Sequence, residues 1–187
     1  DGSEFNIARN PNNPDTYHEP NGKSASGFNM IHTISLYEVC SKRYLDLEVQ
    51  PGRRKNEFHA ICNLMDRYAY GGHPIFIADR GFSSYNVFAH AIENQIDFII
   101  RAKDLNVQRF LRVNSLPDKL DTTVELILTR TQSKKKHQHP EKEAQYRYIC
   151  KNIAFDYLDP NNISDEYRLK LRIVRIEVAD GIFENII

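Results

Sequence analysis

The run Pro74-Ile75-Phe76-Ile77-Ala78 ends abruptly in a carboxylate, Asp79, followed by Arg80, the turn glycine Gly81 and two serines, Ser83 and Ser84. The apolar stretch reads as a fully buried strand, and the serines as openings of a helix. A strand, a crossover helix and a second strand normally make parallel neighbours joined with a right-handed connection. In such sheets ligand-binding groups collect at the carboxyl ends of the strands, where loops are free to carry chemistry. A carboxylate at that position can reach a hard cation such as Mg²⁺ through oxygen. One acid rarely holds a catalytic metal alone, so this pattern calls for a second. The alternative reading has Asp79 capping a helix or pairing with Arg80.

The elements that would position Asp79 are legible on both sides of it. Residues 28–39 (FNMIHTISLYEV) and 43–50 (RYLDLEVQ) alternate apolar and polar, as two strands joined by the hairpin turn CSKR. Asn56 is placed to cap a helix in which Phe58, Ile61, Cys62, Met65 and Tyr68 recur at helical spacing. After Asp79, Ser83 or Ser84 caps a second helix with Val87, Phe88, Ala91 and Ile92 on one face, and residues 97–103 (DFIIRAK) form another strand. Residues 1–27, rich in Asn, Pro, Gly and Ser, read as an extended loop. From residue 104 the texture changes. Three strand-like pieces, TTVELILTRTQ, AQYRYICKNIAF and RLKLRIVRIEVA, are separated by polar loops with no convincing helix. That half reads as antiparallel β.

Composition narrows the class. The 187 residues carry 25 Lys plus Arg against 25 Asp plus Glu, with 41% hydrophobic residues, as expected for a globular chain. No apolar run approaches the ~18 residues of a membrane span, and no signal peptide is expected. Cys40, Cys62 and Cys150 are odd in number and have no metal-ligand spacing, so they read as buried reduced thiols of a cytoplasmic protein. The chain opens without a methionine and stops in the apolar run Glu184-Asn185-Ile186-Ile187, which reads as a piece of a longer protein. The neutral total hides an asymmetry. Residues 101–155 hold twelve Lys and Arg against six acids, so +6 there is balanced by −6 elsewhere. A basic segment beside an acidic one suits a protein that grips phosphates with one part and holds cations with another.

Three blocks carry a family resemblance: DGSEFNIARNPNNPDTY at the start, GFNMIHTISLYEVCSKRYLDLEVQPGRRKNEFHA next, and IADRGFSSYNVFAHAIENQIDFIIRAKD around Asp79. In this order they resemble the first-aspartate region, the intervening stretch and the second-aspartate region of bacterial insertion-sequence transposases of the DDE type, the group often called the IS-four family. The match is dense over residues 1–104, and the rest resembles the family in its general character, as an insert after the second aspartate. The resemblance implies an α/β fold: a ribonuclease-H-like mixed-sheet core of the integrase and transposase type over residues 1–104, and a β-rich insertion subdomain over residues 105–187. It implies Asp1 and Asp79 as catalytic, metal-ligating acids, with Mg²⁺ or Mn²⁺ as cofactor for phosphodiester cleavage and strand transfer. The implied partners are DNA, as terminal inverted repeats and target, and a second copy in a synaptic homodimer, all in the bacterial cytoplasm.

The family's third acid stands in a Tyr-x₂-Arg-x₃-Glu-x₆-Lys helix, and this chain departs from that pattern. Tyr146, Tyr148, Tyr157 and Tyr167 all lack the Arg and the Glu at the required offsets. Glu177 lies in a strand-like run and Glu184 near the end. The expectation is a chain without its third acid and inactive alone. Two other classes remain open: a ribonuclease-H-like nuclease that cuts without joining, and a decayed transposase that only binds DNA. Candidate DNA contacts are Arg80, Arg101, Lys103, Lys134, Lys135 and Lys136. His32 reads as a packed strand histidine, with a place facing the site as the alternative; Arg53, Arg54 and Lys55 as a solvated turn, with DNA contact as the alternative; His137 and His139 as an exposed loop with no cysteine partner for zinc.

Overall fold

The computed structural model describes residues 2–132, 140–162 and 164–187. The chain forms two compact units, Asp1–Pro74 and Ile75–Ile187.

In the first unit the long strand β3 (Phe28–Glu38) pairs antiparallel with β1 (Gly2–Ile7), β2 (Tyr17–His18) and β4 (Arg43–Pro51). The helix α1 (Glu57–Asp66) lies on β3 and β4. It starts where Asn56, extended at φ −145°, accepts a hydrogen bond from the His59 amide at 3.1 Å. That side-chain oxygen satisfies one of the donors a first helical turn leaves free. Ala60, Ile61, Cys62, Leu64 and Met65 are its buried residues. Arg67, at the C-cap, donates to both Asp46 oxygens (2.7 and 3.1 Å) and to Glu48, which ties the end of α1 to β4. The β3–β4 turn closes with Lys42 in the left-handed region at φ 57°.

Residues 1–27 depart from the extended loop expected of them, because β1 and β2 form there. The segment GSEFNI has little strand signal of its own. Its ladder comes from β3, in register from Gly2↔Ile34 to Ile7↔Asn29, a partner more than twenty residues away.

The second unit contains one six-stranded sheet in the order β5-β6-β10-β9-β7-β8. Its strands are β5 (Ile75–Ala78), β6 (Asp97–Ala102), β7 (Leu120–Thr129), β8 (Tyr146–Tyr148), β9 (Glu166–Ala179) and β10 (Ile182–Ile186), with helices α2 (Tyr85–Glu93) and α3 (Asp104–Leu111). The pairs β5–β6 and β7–β8 are parallel and the others antiparallel. Phe88 of α2 stacks on Phe98 of β6 at 5.5 Å and meets Phe110 of α3 edge-on at 6.4 Å. Leu126, Leu128, Leu169, Leu171 and Ile173 fill the β7–β9 part of the core.

Three readings of this half change. A helix, α3, forms where none was expected: eight residues are too few for a clear period, yet Val107 and Phe110 are buried at helical spacing. AQYRYICKNIAF yields only the three-residue β8. The stretch Ile75–Ala78 is not buried on both faces, since Phe76 is 7% exposed while Ile75 and Ile77 are 58% and 71% exposed. All three cysteines are free, and only Cys62 is buried; Cys40 and Cys150 are exposed.

Candidate functional site

Asp79 follows the last residue of β5 and keeps the strand's extended backbone, at φ −78° and ψ 176°. Its Oδ1 accepts a hydrogen bond from the Gly81 amide at 2.7 Å, which opens the 3-10 turn Arg80–Phe82. A Cβ at Gly81 would sit 2.9 Å from that oxygen, so glycine lets the turn close on the carboxylate. Ser84 then caps α2 by accepting from the Val87 amide at 3.3 Å. Because β5 and β6 run parallel, Asp79 stands at the carboxyl end of a parallel pair, exposed, with Oδ2 free of any partner among the described residues. One carboxylate oxygen of Asp79 thus caps the turn, and the other has no partner among the described residues.

The other candidates fall into three groups. Arg101 is engaged: its Nε and Nη2 reach Glu184 at 3.2 and 2.5 Å, so that carboxylate neutralises it. Arg80 and Lys103 are exposed and make no ion pair among the described residues. Asp1, Lys134, Lys135, Lys136, His137 and His139 lie outside the described residues.

In the first unit, Arg54 pairs with Asp15 at 2.9 Å, Lys55 with Glu4, and Arg53 donates to the Tyr17 carbonyl at 3.2 Å. These cations brace the chain rather than face solvent unpaired. His32 is 1% exposed and its Nε2 lies 3.0 Å from Glu57 Oε1. Glu57, the acid in the first turn of α1, thus holds a buried histidine. Gly2 packs against this pair so closely that an added Cβ would overlap His32 Nε2 and Glu57 Oε1. Gly2 adjoins Asp1 in the chain, and neither role was legible without the β1–β3 register.

Neither acid named near the end of the chain is open. Glu184 holds Arg101, and Glu177 accepts from the Gly181 amide at 2.9 Å in the β9–β10 turn. Among the described residues no group of three or more His, Cys, Asp or Glu converges as a metal-binding set. Asp79 fits a hard cation by donor type and by its open oxygen, but the described residues supply one such ligand rather than a set. No helix among them is long and apolar enough to cross a membrane.

The described residues form a mixed α/β chain of two sheets and three α-helices, with an acid at the carboxyl end of a parallel strand pair. The family of the transposase DDE domain matches residues 1–170, and the chain belongs to that family. No match was found among curated proteins or among solved structures.

Proposed function

We propose that this chain carries two of the three acids of a DDE transposase centre, Asp1 and Asp79, and that together they ligate Mg²⁺ or Mn²⁺. Membership of the family implies DNA as the substrate and cleavage and transfer of DNA strands as the activity. The proposed core is ribonuclease-H-like over residues 1–104, of the IS-four type, followed by a β-rich insertion over 105–187. The observation that carries the reading is Asp79 at the carboxyl end of β5, capped through Oδ1 and open at Oδ2. When bound, a divalent pair activates the attacking oxygen and stabilises the leaving one. The chain's own part is to fix the Asp79 carboxylate against rotation, which the Gly81 amide does, and to keep its second oxygen accessible.

The Tyr-x₂-Arg-x₃-Glu-x₆-Lys signature does not occur in the 187 residues, and Glu177 and Glu184 are engaged elsewhere. The chain alone is therefore expected to bind metal weakly and not to cleave. Titration with Mn²⁺ followed by electron paramagnetic resonance tests the metal reading. Wild-type chain should deplete the free-ion signal at millimolar metal, and Asp79→Asn should not. Equal depletion by both would remove Asp79 from the site.

A further inference from the structure

We propose that Arg109, Arg112 and Arg147, together with the Tyr85 hydroxyl, form a phosphate site that takes a backbone phosphate of duplex DNA. This rests on the reading of DNA as the substrate. All four residues lie in the second unit, where the end of α3 meets β8 and the start of α2.

The cluster is unusual in its charge. Arg112 Nη2 and Arg147 Nη1 donate to the same oxygen, the Tyr146 carbonyl, each at 2.9 Å. Arg147 Nη2 also donates to the Phe110 carbonyl at 2.6 Å, and Phe110 lies against the Tyr85 ring at 5.5 Å. Arg109 is exposed on α3, three residues before Arg112. Among the described residues no carboxylate pairs with any of the three, in contrast to Arg67, Arg101, Arg172 and Arg175, which all have one. Arg147 Nε is buried without an acceptor, and the Tyr85 hydroxyl makes no hydrogen bond among the described residues. Burial and then the neighbouring Arg112 charge push the Arg147 pKa down. Burial raises that of Tyr85, against the pull of Arg147 and Arg109.

Guanidinium groups gathered around one carbonyl repel one another unless an anion joins them. A phosphate oxygen matches guanidinium geometry and accepts from a phenol as well. Such contacts position DNA without reading its sequence.

The test uses Arg109→Gln/Arg112→Gly. Arg112 sits in the left-handed region at φ 55°, where glycine is at home, and Arg147 still covers the Tyr146 carbonyl, so the fold should hold. A random-sequence duplex of about 20 base pairs, fluorescently labelled, is titrated from 50 to 200 mM salt with the full chain. Each lost phosphate contact should lower the slope of log K against log salt by about 0.9 and weaken binding about tenfold at 50 mM. Lys119→Gln/Lys170→Gln removes the same charge elsewhere and should change neither by as much. Wild-type binding with an unchanged slope in the arginine variant overturns the cluster while leaving the DNA reading intact. An equal loss in the lysine control also overturns it, as a net-charge effect. No binding by wild type overturns both.

Discussion

Replacing Asp79 separates its two oxygens' roles, because alanine removes both and asparagine removes only one. The Oδ1–Gly81 bond at 2.7 Å is a cap interaction, and losing such a cap costs about 1 kcal/mol. In a chain of this size that lowers Tm by about 2–4 °C. Asparagine presents a neutral carbonyl oxygen to the same amide, so Asp79→Asn should unfold within about 1 °C of wild type in metal-free buffer, and Asp79→Ala a few degrees below both. Metal adds a second contribution. For a dissociation constant of about 1 mM, 10 mM Mg²⁺ stabilises the folded chain by about 1.4 kcal/mol, or roughly 3–5 °C. Both variants should lose that increment, since a neutral amide is a poor ligand for a hard dication. The assay is thermal unfolding with and without 10 mM MgCl₂, with CaCl₂ and matched NaCl as ionic controls. An Asp79→Asn protein that keeps the full Mg²⁺ increment refutes the ligand role. An Asp79→Ala protein as stable as wild type without metal refutes the cap.

Three further outcomes follow from the geometry. Gly2→Ala forces a Cβ onto His32 Nε2 and Glu57 Oε1 and should cost about 1–3 kcal/mol, read as a fall in urea midpoint. The hydrogen bonds from Arg67 hold the Asp46 carboxyl below its usual range. A lowered folded-state pKa gives stability that is present above the ordinary carboxylate value and lost as pH falls through the lowered one. Arg67→Ala should therefore destabilise at pH 7 by about 1 kcal/mol, given the partly exposed arginine, and by less at acid pH, which chemical denaturation at the two pH values checks. Tyr167 donates to Glu93 at 2.8 Å, so Tyr167→Phe should cost about 1 kcal/mol, measured the same way, with Glu93→Gln recovering part of the difference in a double-mutant cycle.

What could be read in the chain was local. Asn56 and Ser84 cap through side chains that bond amides three residues on, so type and spacing reveal them. The cap at Asp79 is local too, since the acid and the Gly81 amide it accepts from stand two residues apart. The remainder depends on partners far along the chain. Nothing in GSEFNI announces a strand until β3 supplies its ladder. Arg101 looked like a free cation because its carboxylate, Glu184, is 83 residues away. The six-stranded sheet is likewise not local, because β10 pairs with both β6 and β9, and β6 lies about eighty residues earlier in the chain. A period-based search also passes over α3, whose eight residues present only Val107 and Phe110 to the core.

The proposed function requires Asp1 and Asp79 to hold one divalent site between them. Crystals of the chain grown with Mn²⁺, with anomalous diffraction at the manganese edge, test it most directly. An anomalous peak is expected within about 2.5 Å of Asp79 Oδ2 and of an Asp1 carboxylate oxygen, with water completing the shell. Ordered Asp1 and Asp79 carboxylates more than about 12 Å apart, beyond the reach of one ion or a bridged pair, would contradict it.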